Sequence, residues 1–70
     1  MKITLNGQSF DVPEKTTVAE LVELRKASGH LRTSAYAVER NKEVVLRPQH
    51  EATPLQADDR IEIVVMVGGG

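Results

Sequence analysis

The apolar run Ile61-Glu62-Ile63-Val64-Val65-Met66-Val67 stops without a linker at Gly68-Gly69-Gly70. It is the most apolar stretch in the 70-residue chain, and it constrains the fold more than any other feature. A strand this apolar is expected in the middle of a sheet, where its neighbours cover it. The glycines behind it have no side chain to fill a core and lose more backbone entropy on ordering than any other residue. They are therefore expected to end the strand and run out as a thin, flexible tail, residues 68–70, from a folded body spanning residues 1–67. Such a tail is either a frayed end or a working part, and the rest of the chain decides between the two.

Lys2-Ile3-Thr4-Leu5-Asn6 alternates polar and apolar residues with the period of a half-buried strand. Asn6-Gly7 follows, a strong hairpin signal because both positions tolerate positive φ. Gln8-Ser9-Phe10-Asp11-Val12 alternates again, so Ile3, Leu5, Phe10 and Val12 are expected to face a common core, with Pro13 closing the strand. Thr17-Val18-Ala19-Glu20 reads as a capping box. Val18, Leu21 and Val22 then form an apolar stripe with Leu24 on its flank. A helix from about Val18 to Ser28 is expected, with acids early and bases late as its dipole favours, and with Gly29 at its C-terminal end. Tyr36 to Arg40 and Glu43 to Leu46 read as strands joined by a turn at Asn41-Lys42. Pro48 ends the second of them. The segment from Gln49 to Pro54 is irregular, with room for one helical turn, and Leu55 is expected to drop back into the core. Ala57-Asp58-Asp59 reads as a turn before the last strand, Arg60 to Val67.

Placing the last strand centrally, beside the first, makes the two parallel. One helix then crosses a mixed five-stranded sheet with a hairpin toward each edge. This is an α+β architecture of the β-grasp (ubiquitin-like) kind. Ile61, Ile63, Val65 and Val67 are expected on one face of the last strand, and Val64 and Met66 on the other. With a helix on one side only, Val64 and Met66 stay exposed beside the tail, and exposed apolar patches on small proteins tend to be interaction sites.

Composition narrows the chemistry. There are no cysteines, which excludes disulfides and thiolate metal sites. Nine basic and ten acidic residues are spread along the chain, giving a net charge of −1 and no basic stripe for nucleic acid. Phe10 and Tyr36 are the only aromatic residues, too few for a base-stacking platform. No apolar run approaches membrane-spanning length and the N-terminal residues do not resemble a signal peptide, so a cytoplasmic domain, monomeric alone, is expected. His30 and His50 lie in separate connecting segments and are expected to be solvated loop residues. Asp58-Asp59 is an adjacent pair in a turn, not an acid/base dyad. No nucleophile elbow, phosphate loop or metal cluster is present in the sequence. The remaining reactive group is the carboxylate of Gly70. A carboxylate is a poor electrophile until activated, for example by AMP, and glycines let a chain enter a narrow, water-excluding site.

The sequence resembles the ubiquitin-like sulfur carriers, most closely those of the ThiS type. The match is carried by Met1-Lys2-Ile3-Thr4-Leu5-Asn6-Gly7 and by Thr17-Val18-Ala19-Glu20-Leu21. It continues through Val38 to Arg47 and from Asp59-Arg60-Ile61-Glu62-Ile63-Val64 to Gly68-Gly69-Gly70. Two departures are local: Ala57-Asp58-Asp59 stands where the family often has Asp-Gly-Asp, and Val45-Leu46-Arg47 where Val-Pro-Arg is common. The resemblance implies a protein substrate, not an enzyme. A ThiF-like adenylyltransferase, using ATP and magnesium that this chain does not itself bind, would convert the Gly70 carboxylate to an acyl-adenylate. A cysteine desulfurase relay would then give the thiocarboxylate, and a ThiG-like thiazole synthase would take the sulfur. By position, Gly70 bears the sulfur, Gly68 and Gly69 thread the partner's channel, and Val64 and Met66 contact the partner. Three other readings fit the same glycines: a molybdopterin-type carrier, a protein modifier conjugated through Gly70, and an interaction domain with an inert tail.

Overall fold

The computed structural model describes residues 1–66. Val67, expected on the inner face of the last strand, and Gly68, Gly69 and Gly70, expected as the tail, lie outside the described residues.

Five strands and one helix follow in the expected order: β1 (Lys2–Leu5), β2 (Gln8–Asp11), α1 (Val18–Ala27), β3 (Tyr36–Arg40), β4 (Glu43–Val45) and β5 (Arg60–Val65). The sheet runs β2-β1-β5-β3-β4, so the last strand is central. It is parallel to β1, with Leu5 opposite Ile61, and antiparallel to β3, with Val38 opposite Ile63 and Tyr36 opposite Val65. Each hairpin closes through two residues with positive φ: Asn6 (49°) and Gly7 (81°), then Asn41 (52°) and Lys42 (71°). Two-residue turns of this form match the twist of the strands they join.

The capping box forms as the sequence indicates. Thr17 Oγ1 accepts from the Glu20 amide at 3.1 Å, and Glu20 Oε1 accepts from the Thr17 amide at 2.9 Å. The remaining free amides of the first turn find partners in the loop after β4: Val18 donates to Thr53 O and Ala19 to His50 O. At the other end Gly29 takes φ of 80°, its amide donates to Lys26 O, and the His30 amide donates to Arg25 O. That pairing satisfies two carbonyls the helix leaves open. The core lies between α1 and the sheet, where Val18, Leu21 and Val22 meet Ile3, Leu5, Val38 and Ile61. Val12 is buried, Phe10 packs partly buried against the same cluster, and Leu55 is the plug the sequence suggests.

The structure corrects several expectations. His50 is not a solvated loop residue: it is 6% exposed, and its Nε2–H donates to Val45 O at 2.9 Å. His30, by contrast, is exposed in a connecting segment as expected, within 2.8 Å of Ser28 Oγ. Asp59 is also buried, held by partners that lie far away in sequence. Val65 shares its face with Ile61 and Ile63 but is half exposed, at the edge of a small hollow that Arg25, His30 and Leu31 also line. β4 stops at Val45, and the helical turn comes at Arg47–Gln49, with Pro48 as its second residue, rather than after Gln49. A proline suits the first positions of a helical turn, where its missing N–H removes no bond.

Candidate functional site

The face of the sheet away from α1 divides into two parts. Alternation puts Lys2 and Thr4 of β1 on it, and the register sets Asp11 and Ser9 of β2 opposite them. These side chains are polar. On the other half, Ala37 stands opposite Val64 on the same face, and Glu39 lies opposite both Val44 and Glu62. The β3–β4 register, continued by one step, brings Leu46 beside Ala37. The apolar members are well exposed: Val44 58%, Leu46 60%, Val64 43% and Met66 56%. Val64 and Met66 are thus exposed on the uncovered face, as the strand alternation implies. A shallow groove of about 210 Å³ runs between Met66 and the β4 side of this patch, with Leu46 and Arg47 in its wall.

Sequence reasoning missed Val44 and Leu46 as members of the patch. The signal was available: a two-residue turn at Asn41-Lys42 fixes the β3–β4 register and so places Val44 beside Glu39 and Leu46 beside Ala37, both on the face that carries Val64. The patch sits where β5 leaves the sheet. The Met66 amide donates to Ala35 O at 2.8 Å, and the next residues lead to Gly68, Gly69 and Gly70.

Arg47 borders the same place. Its guanidinium carbon lies 3.9 Å from the centroid of the Tyr36 ring, and Nη2 donates to the carbonyls of Ser34 and Tyr36. The other side of the strand end carries a small hollow of about 70 Å³ lined by Asn6, Arg25, His30, Leu31, Ile63 and Val65. Neither recess has an acid in its wall. Among the described residues, no group of three His, Cys, Asp or Glu is placed to hold a metal ion, and no helix is long and apolar enough to cross a membrane. The buried charge elsewhere is structural in geometry: Asp59 Oδ2 accepts from Arg40 Nε at 2.9 Å and from the Gln56 amide at 2.8 Å, and Oδ1 accepts from Asn41 Nδ2 at 3.2 Å.

The family model for ThiS matches residues 3–70, nearly the whole chain and all three terminal glycines. The chain belongs to the ThiS family. Its fold is the β-grasp fold of that family. A crystal structure of the thiamine biosynthesis protein ThiS from Geobacter metallireducens is 32% identical and superposes with a TM-score of 0.78, each chain covered completely. A solution structure of a thiamine biosynthesis protein from the same organism, also 32% identical, gives 0.67 over all of this chain and 88% of that one. A protein named thiazole synthase from Magnetococcus marinus is 41% identical over 70 residues. The match covers all of this chain but 20% of that protein's length. In the turn before β5, Asp58 adopts φ of 70°, a left-handed conformation that Asp tolerates better than most residues.

Proposed function

We propose that this chain is a sulfur carrier for thiazole formation in thiamin biosynthesis, acted on by other enzymes rather than catalysing a reaction itself. The family match running through Gly70 carries this reading. The reactive group is the Gly70 carboxylate, which the reading requires to be free. A ThiF-like adenylyltransferase, holding ATP and magnesium in its own site, lets a carboxylate oxygen attack the α-phosphate, and pyrophosphate leaves. The terminal sulfur of a persulfide from a cysteine desulfurase relay then attacks the acyl carbon and displaces AMP, and a thiol reductant cleaves the S–S bond of the resulting acyl disulfide to leave the thiocarboxylate. A ThiG-like thiazole synthase takes that sulfur. The thiazole synthase from Magnetococcus marinus, one-fifth of which matches this chain, supports an acceptor of that class. Gly68 and Gly69 are the thread into the partner's channel, where the lack of side chains allows close backbone approach. Val64 and Met66, joined by Val44 and Leu46, supply the exposed apolar surface on which a partner docks.

Intact mass tests the reading. After incubation with the adenylating enzyme, ATP, magnesium and a sulfur donor, the mass is expected to rise by the difference between one sulfur and one oxygen. An unchanged mass, where another ThiS-family chain reacts in parallel, contradicts the proposal. Isopeptide-linked products would indicate a protein modifier instead. Deleting Gly70 is expected to abolish the mass gain and leave the cooperative melt unchanged.

A further inference from the structure

Arg47 has no part in the carrier cycle as described above, yet it makes several contacts around one short segment. It follows β4 and Leu46, at the start of the helical turn Arg47–Gln49. From there its Nη2 reaches back to the carbonyls of Ser34 and Tyr36, and its guanidinium plane covers the Tyr36 ring. The carbonyl between those two, that of Ala35, accepts the Met66 amide. Among the described residues this is the last backbone hydrogen bond along β5 before Gly68. Ser34 and Ala35 are themselves exposed, outside any strand, and the Ala35 amide is held only locally, by Thr33 Oγ1 at 3.0 Å.

We infer that Arg47 is a positioning residue: by clamping residues 34–36 it fixes the acceptor that holds Met66, and so the place and direction from which the terminal glycines are presented. The inference rests on the carrier reading for its consequence, though not for its geometry. A guanidinium suits this work because it is planar, stacks on an aromatic face and presents several donors in a fixed fork; an ammonium does none of these as well. Among the described residues, Arg47 is the one side chain that follows β4 and hydrogen-bonds the backbone of residues 34–36. Small displacements of a reacting group are costly, since a misplacement of about 1 Å can lower a rate by roughly a hundredfold.

The test uses Arg47→Met and Arg47→Lys in the full chain, with three readouts. Amide hydrogen exchange at Met66 is expected to speed up about tenfold in Arg47→Met, the equivalent of losing one charge-assisted hydrogen bond. Exchange at Val38 and Ile61 is expected to stay as in the parent. With the adenylating enzyme, kcat should fall while KM changes little, since the apolar patch is intact. Arg47→Lys, which keeps the charge and loses the fork, should behave more like Arg47→Met than like the parent. Unchanged Met66 exchange would overturn the inference. So would a uniform acceleration of all amides, which marks a residue of global stability, or faster Met66 exchange with kcat unaltered. If the parent chain itself gains no sulfur, the carrier reading fails first, and the Met66 exchange result still reports on the clamp separately.

Discussion

The two hairpins of the sheet are built alike and finished differently. Each turns on an asparagine with positive φ, and each asparagine also reaches β5. Asn6 donates its amide to Ile61 O and accepts from the Ile63 amide through Oδ1, both at 2.9 Å. Asn41 donates to Arg60 O at 2.7 Å and accepts from the Arg60 amide at 2.9 Å. The central strand is therefore pinned from both sides by the same residue type doing the same two jobs. Beyond the turns the likeness ends. The β1–β2 half has glycine at the second turn position and an open face of Lys2, Thr4, Ser9 and Asp11. The β3–β4 half has Lys42 in the left-handed region, a buried carboxylate beneath its turn, and an exposed apolar patch beside the strand end. One half is an ordinary solvated surface. The other half has its strained turn beside Arg60, where β5 begins, and its exposed apolar area toward the opposite end, where the chain leads to the terminal glycines.

Breaking the buried carboxylate should have the largest effect. Asp59→Ala removes three hydrogen bonds and strands Arg40, at a cost of about 3 kcal/mol. Chemical denaturation measures it, and a loss near zero would mean that the β3–β4 turn needs no anchor. Asn6→Ala and Asn41→Ala follow, each expected to lose about 1.5 kcal/mol from a missing side-chain hydrogen bond and an alanine at positive φ. Equal losses would confirm that the two turns pin β5 alike, whereas a large inequality would show that one pin dominates. Exchanging the second turn residues sharpens the contrast. Gly7→Lys should destabilise by about 1 kcal/mol, and Lys42→Gly should raise stability by about 0.5 kcal/mol. A loss in Lys42→Gly would show that the lysine side chain is used in the folded state. Smallest of all are the open-face changes: Met66→Asp and Ser9→Asp should each move stability by less than about 0.5 kcal/mol. Their stability effects match, so any difference in partner binding reports the surface alone.

Much of the architecture was legible because its signals are local. Asn6-Gly7, the Thr17–Glu20 capping box and Gly29 each act within a few residues, and the structure shows all three in the expected roles. The central place of β5 follows from its apolar run, a short step from local pattern to topology. The sequence was silent where a polar residue finds distant partners. Asp59 looks like any turn aspartate until Arg40, nineteen positions earlier, is folded beside it. His50 sits in an irregular segment and becomes buried because its carbonyl caps α1 while its ring bonds Val45. Val65 shows the converse: alternation gives its face correctly, but not its exposure of 50%. For the candidate site, Val64 and Met66 could be read from strand alternation. Val44 and Leu46 required the hairpin register, and Arg47 required a contact with Tyr36 that no spacing announces.

The division between the two halves is tested most directly by an NMR footprint of the adenylating enzyme on the isotopically labelled chain. The amides of Ala37, Val44, Leu46, Val64 and Met66 are expected to shift or broaden as the enzyme is added, with those of Thr4, Ser9 and Asp11 unmoved. A footprint centred on the β1–β2 half, or spread evenly across the sheet, would contradict the assignment of the docking surface.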